Sequence, residues 1–551
     1  MKQNLRTLVT LAAVFGSSLF VTAQQVNTLY FLENAPMRHT INPAFQPVQE
    51  FYMTFPAIGY TSLWLGNYDL TLSDWIYKNE KGKPVTPLQP NEEANWNKLP
   101  KMFNVEADAT INLFSLGWQV RERGYVHINA SERINSNVRV PKSIFSHVLN
   151  QKITPEEPID IMSTSAYAEV AFGYSHYINE QWSVGAKAKL LLGHGYLDAS
   201  VDNFDFRSSV DEVTLKGNVT TQHAGIAKYL INGSFDKDMW TYLNPSGYGA
   251  AFDLGITYKP IEMIQISAAV TDLGFIKWTG QLGDDKNLKP FENGSFTIDK
   301  TFTGAGGFEY GDYIKDDKFQ MNELISDIKN NLQLYQDEFL QYEAKNAQPI
   351  TQMLHANLNI GVDANFWENR VGVGVHSHTS FMTDTITEEV TLGAAFRPCN
   401  WFNIAASYSF LNGKWSNMGA AFGFAPYDGF MLTLAADYVP TMYVEGEKIN
   451  LPYKTSGLNL AVGIAIVAGT NNPKKTIDKD RDGVFDYRDG CLLTPKDIRV
   501  DEFGCPTDED GDGVPDYMDE CPNTPSRAYG LIDSVGCPID SDMDGVPDYL
   551  D

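Results

Sequence analysis

The chain has 551 residues, a formal net charge of −27, 43% hydrophobic and 12% aromatic residues, and 44 glycines. That length can bury more than one core. Its acidity excludes nucleic acid and anionic lipid headgroups as partners and favours cations.

Lys2 and Arg6 precede an apolar run from Leu8 to Val21, and Val21-Thr22-Ala23 offers a small-residue cleavage pattern. Residues 1–23 therefore read as a secretory signal peptide, with a mature chain beginning at Gln24. No Cys follows the run, which argues against lipoprotein processing. No later stretch of about 18 apolar residues appears, so a helical membrane protein is not expected. Residues 24–50 form a separate N-terminal segment. Within it, Thr40-Ile41-Asn42-Pro43-Ala44, followed by Pro47, is irregular and could thread a lumen as a plug.

From Phe51 to about residue 470, segments of some ten residues alternate apolar with small or polar positions, as strands with one face to lipid and one to a lumen do. In 355–367, Ala356, Leu358, Ile360, Val362, Ala364 and Phe366 fall on one face, and Asn357, Asn359, Gly361, Asp363 and Asn365 on the other. Fourteen such segments start near Phe51, Val105, Gly124, Ile161, Trp182, Gly249, Met263, His355, Arg370, Glu388, Trp401, Trp415, Phe430 and Ser456. The connections after even-numbered segments are short: Arg121–Arg123, Asn179-Glu180, Pro260-Ile261, Glu368-Asn369, Pro398–Asn400 and Pro426–Asp428. Several odd-numbered ones are long, notably 61–104, 201–248 and 278–354. This is the signature of an all-β fold, a transmembrane antiparallel β-barrel of about 14 strands with short periplasmic turns and long outer loops. An even strand number returns both ends of the barrel to the periplasm.

A soluble sandwich or propeller would set Lys and Glu opposite the apolar row, whereas these segments carry Gly, Ala, Asn and Ser there. Trp118, Trp182, Tyr196, Trp278, Trp367, Trp401, Trp415 and Tyr438 stand near segment ends, as an interfacial girdle would. One insert breaks the pattern. In 322–344, Leu324, Ile325, Ile328, Leu332, Tyr335, Phe339 and Leu340 recur at helical spacing, which predicts an amphipathic helix in the longest loop.

Residues 471–551 differ in kind. They hold 18 Asp and 3 Glu against 4 Lys and 4 Arg, a net −13, and four of the five cysteines, Cys491, Cys505, Cys521 and Cys537. Cys399 stands alone in the body. The tail repeats one pattern three times: Asp478, Asp480, Asp482, Asp486 and Asp489; Asp508, Asp510, Asp512, Asp516 and Asp519; Asp540, Asp542, Asp544, Asp548 and Asp551. Each copy sets carboxylates at positions 1, 3, 5, 9 and 12. Gly483, Gly513 and Gly545 stand at position 6, and Val484, Val514 and Val546 follow, with a backbone carbonyl to offer at position 7. Calcium takes six to eight hard oxygen ligands, and this spacing lets a tight loop supply them, so Ca2+ is the expected ion.

These loops resemble thrombospondin type 3 repeats, in the bacterial form that links an outer-membrane barrel to an OmpA-type peptidoglycan-binding domain. The flanking Asp519-Glu-Cys521-Pro522-Asn523-Thr524-Pro525, Gly504-Cys505-Pro506 and Gly536-Cys537-Pro538 fit that family. The resemblance implies disulfides within repeats, Cys491–Cys505 and Cys521–Cys537, out of the three connectivities that four cysteines allow. In related proteins a wall-binding domain follows such repeats. The last residue here is Asp551, so cell-wall binding is not carried over. The Asn42-Pro43-Ala44 stretch is similar to one near the N-terminus of the FadL and PorV group of fourteen-stranded barrels, a resemblance that supports the strand number.

Motifs for catalysis are missing from the sequence: it has no Gly-x-Ser-x-Gly, phosphate-binding glycine loop or His-Glu-x-x-His. His376 and His378 share a strand face without a third metal ligand and read as polar lumen residues. The expectation is a non-enzymatic protein of the outer membrane, in contact with its lipid, with its tail in the periplasm. Its role is either structural, anchoring a calcium-stiffened tail that meets an envelope or periplasmic protein, or transport of a small, hydrophobic solute through the barrel.

Overall fold

The computed structural model describes residues 26–551 apart from 68–70, 80–83, 86, 88–92, 122, 143–158, 209–211, 226–244, 280–291, 304–313, 316–317, 320–342, 347–348, 368, 382–385, 400, 412–413, 428, 440–442, 445–450, 453–454, 470–479, 481, 485–488 and 492. The signal peptide and nearly all of the expected 322–344 helix lie outside the described residues. The last two positions of that helix, Glu343 and Ala344, belong instead to a short strand, Glu343–Asn346.

Fourteen strands form the barrel wall. They are β1 (Phe51–Thr54, resumed at Thr61–Gly66), β2 (Met102–Val120), β3 (Gly124–Pro141), β4 (Ile159–Tyr177), β5 (Trp182–Ser208), β6 (Gly247–Ile261) and β7 (Ile264–Trp278). Then follow β8 (Ala356–Phe366), β9 (Val371–Phe381), β10 (Ile386–Cys399), β11 (Phe402–Leu411), β12 (Lys414–Tyr427), β13 (Phe430–Val439) and β14 (Gly457–Ala468). Every pairing is antiparallel between chain neighbours, and β1 closes the ring on β14, with Phe51 opposite Ala468. Closure leaves the wall without an edge, which the hydrocarbon interior demands of a sheet. Each strand begins within three residues of its expected start. The strands run on through Cys399 and Tyr427, which were expected in turns.

The period of two explains which side chains meet lipid. Ile360, Val362, Val373, Val375, Leu392, Ile404, Leu434 and Val462 are exposed on the outside. Their alternate neighbours Asn359, His376, Thr391, Asn403, Thr433 and Ala461 are buried inside. Among the described residues no helix is long and apolar enough to cross a membrane; the strands make the crossing. Trp182 stacks on Tyr258 at 4.3 Å near the short-turn rim, and Trp415 on Tyr408 at 5.5 Å on the other side.

Three girdle expectations are corrected: Trp278, Tyr196 and Tyr438 are buried rather than lipid-facing. For Tyr438 the cause is an irregular register between Met418 and Ala420, with a positive φ of 59° at Tyr438. An extra residue there shifts the alternation and turns the ring inward. Trp278 lies over Gly193 and Gly247, which have no side chain to occupy its place, and stacks on Tyr196.

The expected loops 201–248 and 278–354 also hold strands. Beyond Gly193, β5 leaves β6 and pairs with Glu212–Gly225, which pairs with Glu292–Thr303, and that with Glu343–Asn346. Ile350–Met353 pairs with the outer end of β7. The tail forms a second unit after Gly469. It consists of turns closed by the disulfides Cys491–Cys505 and Cys521–Cys537, the pairing that the resemblance implies.

Candidate functional site

The N-terminal segment occupies the lumen. Pro36 opens one of its two 3-10 turns, Asn27–Phe31 and Pro36–Thr40, and the side chains of Leu29, Tyr30, Phe31, Leu32, Ile41 and Phe45 are buried. They pack against inward-facing Ala395, Ala405, Ala421, Ala435, Ala461 and Ala465, whose small size leaves the plug its volume. Each fully buried Leu or Ile contributes about 1.5–3 kcal/mol. Glycines shape the seat further: a methyl group at Gly361 would collide with Tyr30, at Gly393 with Phe31, and at Gly255 with Asn42.

Polar groups fix the plug in register. The Asp437 carboxylate on β13 accepts from the Asn27 and Thr28 N–H groups and from the Thr28 hydroxyl. Glu389 on β10 accepts from Asn27 Nδ2 at 2.9 Å and from the Tyr438 hydroxyl at 2.6 Å. The Tyr30 hydroxyl donates to Asp363 Oδ1 at 2.9 Å, and Asn42 Nδ2 donates to the carbonyls of Ile256 and Ala268. His39 hydrogen-bonds with the Tyr52 hydroxyl at 2.7 Å, and its ring lies on that of His127 at 4.2 Å. Burial holds the His39 imidazole well below its usual range, so it is neutral. His376 and His378 face the same lumen and pair with Asn359 at 3.1 Å and Asn357 at 3.3 Å, as polar wall residues rather than as a metal pair.

Next to the plug, with Met37 and Thr40 on its wall, lies a polar chamber of about 180 Å³. Seven charged groups from six consecutive strands line it: Asp108, Arg133, Glu169, Lys187, Lys189, Asp253 and Asp272. Lys189 Nζ is 2.8 Å from Asp253 Oδ1 and 2.6 Å from Asp272 Oδ1. Arg133 Nη1 is 3.0 Å from Glu169 and 2.8 Å from Asp272. Asp272 reaches inward because β7 bulges there, with φ 59°, and its N–H donates to Asp253 Oδ1 at 2.8 Å. Sequence reasoning missed this belt. Its signal was available in Lys187 and Lys189, two charges on the lumen face of an otherwise apolar strand.

In the tail, Gly483, Gly513 and Gly545 have φ of 97°, 98° and 90°, the left-handed bend that glycine permits. The loops bring together Asp480, Asp482 and Asp489, then Asp508, Asp510 and Asp512, then Asp540, Asp542 and Asp544, one oxygen of each within 4.8 Å of the others. Asp478 and Asp486 lie outside the described residues. Asp516 and Asp548 do not join these groups. Asp516 accepts from the Thr507 hydroxyl and the Glu509 N–H, and Asp548 from the Ser541 hydroxyl and N–H; these bonds hold both carboxyls below the usual range. Asp519 accepts from the Cys521 N–H at 2.7 Å, and Asp551 is exposed. The N–H groups of Val484, Val514 and Val546 donate to Asp482, Asp512 and Asp544.

A clasp that sequence reasoning missed comes from the Thr-Pro pairs: Thr494 N–H donates to Asp480, and Thr524 N–H to Asp510. Among the described residues, Asp480 Oδ1, Asp489 Oδ2, Asp512 Oδ2 and Asp540 Oδ1 are buried without a hydrogen-bond partner. Buried carboxylate oxygens left bare in this way fit a hard cation.

Fold and site together define a plugged, fourteen-stranded transmembrane β-barrel followed by thrombospondin type 3 repeats. The chain belongs to the family described as "Family of unknown function (DUF5723)", whose model matches residues 43–437. The thrombospondin type 3 repeat model matches residues 501–528. Comparison with curated proteins gives no match. Among solved structures, the chain is similar to a Pseudomonas aeruginosa FadL homologue (TM-score 0.40, 9% identity, 81% of this chain and 99% of that one). It is also similar to the Ralstonia pickettii toluene transporter TbuX (0.38, 9%, 79% and 94%) and the Pseudomonas putida toluene transporter TodX (0.36, 9%, 78% and 93%). Likenesses this distant carry no solute to this chain.

Proposed function

We propose that this protein is an outer-membrane anchor: a lipid-embedded barrel, sealed by its own N-terminal segment, that holds a calcium-stiffened tail in the periplasm for an envelope or periplasmic protein partner. The observation that carries this reading is the plug. Its apolar side chains fill the lumen between β10 and β14, and its polar groups are tied to strands on opposite sides of the ring, β6 and β13. A pore would be poorly served by such a stopper, whereas an anchor needs only the wall. The bare aspartate oxygens of the three loops support calcium as the ion, with Asp480, Asp482 and Asp489, Asp508, Asp510 and Asp512, and Asp540, Asp542 and Asp544 as its nearest ligands. Bound calcium supplies the positive charge that lets these carboxylates share one loop.

The test is current across a planar bilayer holding the folded, full-length protein. The expected result is a silent barrel at neutral pH. Steady current that a solute can block would overturn the anchor in favour of a transporter. That second reading has one observation behind it, the polar chamber beside the plug, and the charge on its wall speaks against a hydrocarbon solute.

A further inference from the structure

Two groups of the chamber's charge belt are unsatisfied although they are neighbours. Lys187 on β5 and Asp253 on β6 stand directly opposite each other in the antiparallel register. Such a pair would ordinarily close on itself. Here Lys187 is 5% exposed and, among the described residues, is without a hydrogen-bond or ion-pair partner, although it lines the chamber. Asp253 commits Oδ1 to Lys189 Nζ and to the Asp272 N–H, and its Oδ2 is buried without a hydrogen-bond partner. Asn129, on the same wall and 8% exposed, likewise has a bare Oδ1.

We propose that the chamber is a binding site for a small zwitterion of the α-amino acid class, its carboxylate on Lys187 Nζ and its ammonium on the Asp253 carboxylate. Three arguments converge on that class. The first is that the belt carries both signs: Arg133, Lys187 and Lys189 against Asp108, Glu169, Asp253 and Asp272. A wall of mixed charge favours a ligand that carries both charges over a simple anion or a simple cation. The second is spacing. The two free groups sit on facing residues of adjacent strands, whose Cβ atoms are about 4.5–5.5 Å apart. An α-amino acid likewise carries its two charges on one carbon. The third is size. At about 180 Å³ the chamber is smaller than the roughly 300–1,000 Å³ of sites for larger organic ligands. The remaining wall offers hydrogen bonds from Ser131, Asn135, Ser165 and Thr271 beside apolar Met37 and Leu354, which suits a small ligand with a polar head and a short side chain.

Binding to this chamber does not require that the lumen conduct, so the inference stands apart from the anchor reading. The experiment is calorimetric titration of the folded full-length protein in detergent with the twenty protein amino acids, singly. Blocked forms of any that bind, N-acetylated or C-amidated, are titrated next. At least one free amino acid is expected to bind saturably, and each blocked form at least tenfold more weakly. Lys187→Met is expected to weaken binding tenfold or more while the protein keeps the gel mobility of a folded barrel. Lys187→Arg, which retains the charge, is expected to restore most of it. Equal binding of free and blocked forms would overturn the zwitterion. So would unchanged affinity in Lys187→Met, or saturable binding by none of the twenty.

Discussion

The ring of Tyr30 in the plug lies flat on the imidazole of His376 in β9, with centroids 4.6 Å apart and planes within 11°. Its hydroxyl meets Asp363 at 2.9 Å and Ser267 at 3.0 Å, so one side chain joins the plug to β7, β8 and β9. Removing a buried aromatic side chain of this kind costs about 3–5 kcal/mol. Tyr30→Ala should therefore loosen the plug without unfolding the wall. The check is bilayer current: intermittent openings in the variant and none in the parent. A silent Tyr30→Ala barrel would mean that the ring is not what holds the plug.

Gly361 should be intolerant for the complementary reason. A methyl group there would collide with Tyr30, and one at Gly393 with Phe31. Gly361→Ala and Gly393→Ala should each expose the N-terminal segment to protease while the wall stays folded. An unaltered digestion pattern in both would show that the seat can widen.

His39 makes plug docking depend on pH. The docked plug holds His39 neutral, its proton affinity lowered by burial. A released segment would titrate near its ordinary value of about 6.5. The folded value is the lower one, so docking is strongest above about pH 6.5. Below that it weakens by about tenfold per pH unit until the docked group itself takes a proton. Openings should rise between pH 7 and 5, and His39→Gln, which can still hydrogen-bond with Tyr52, should flatten the curve. The same pH profile in that variant would assign the effect to another group.

In the tail, removing calcium should expand the loops and speed proteolysis. The parent is expected to gain about 2.7 kcal/mol per site at a hundredfold excess over the dissociation constant. Asp512→Asn should abolish one ion's worth of that gain, because its Oδ2 is buried and bare. Asp516→Asn should cost much less binding, because its oxygens already accept from Thr507 and Glu509. Calorimetric counts of bound ions would separate the two, and equal losses would put position 9 among the ligands.

The disulfide Cys521–Cys537 closes a stretch of 16 residues. Cross-linking a loop of that length is worth about 3 kcal/mol. Reduction should lower the melting temperature of the tail and leave the barrel transition in place. A single shared transition that moves as one would show that the two units melt together.

The strand plan was legible because lipid and lumen impose a period of two that survives in residues such as Leu358, Ile360 and Val362. The inward turn of Tyr438 and Asp272 was not, because each depends on one added residue in a pairing, which alternation cannot register. The strand Glu212–Gly225 was missed for a different reason. It extends the distal half of β5 past β6, outside the plan of one strand per crossing. In the tail, the convergence of Asp508, Asp510 and Asp512, and of Asp540, Asp542 and Asp544, was readable from spacing. The bond from the Thr507 hydroxyl to Asp516 was not, because it joins residues nine apart outside the repeated pattern. The plug was foreseen from an irregular segment, but not its seat, which is written in scattered glycines that gain meaning once the ring is closed.

The bond from the Asn27 N–H to Asp437 spans 410 residues. The seam between Phe51 and Ala468 is longer still in sequence. Contacts so remote are the last a chain can make, because the intervening loop must be ordered first. The plug is thus the earliest part of the described chain and among the last to find its partners. It must wait beside an unfinished wall, or serve as the form around which strands β10–β14 are laid before the seam shuts. A barrel deprived of residues 26–49 would then fail in assembly rather than leak, and what looks like a stopper in the finished molecule would be a mould in the making of it.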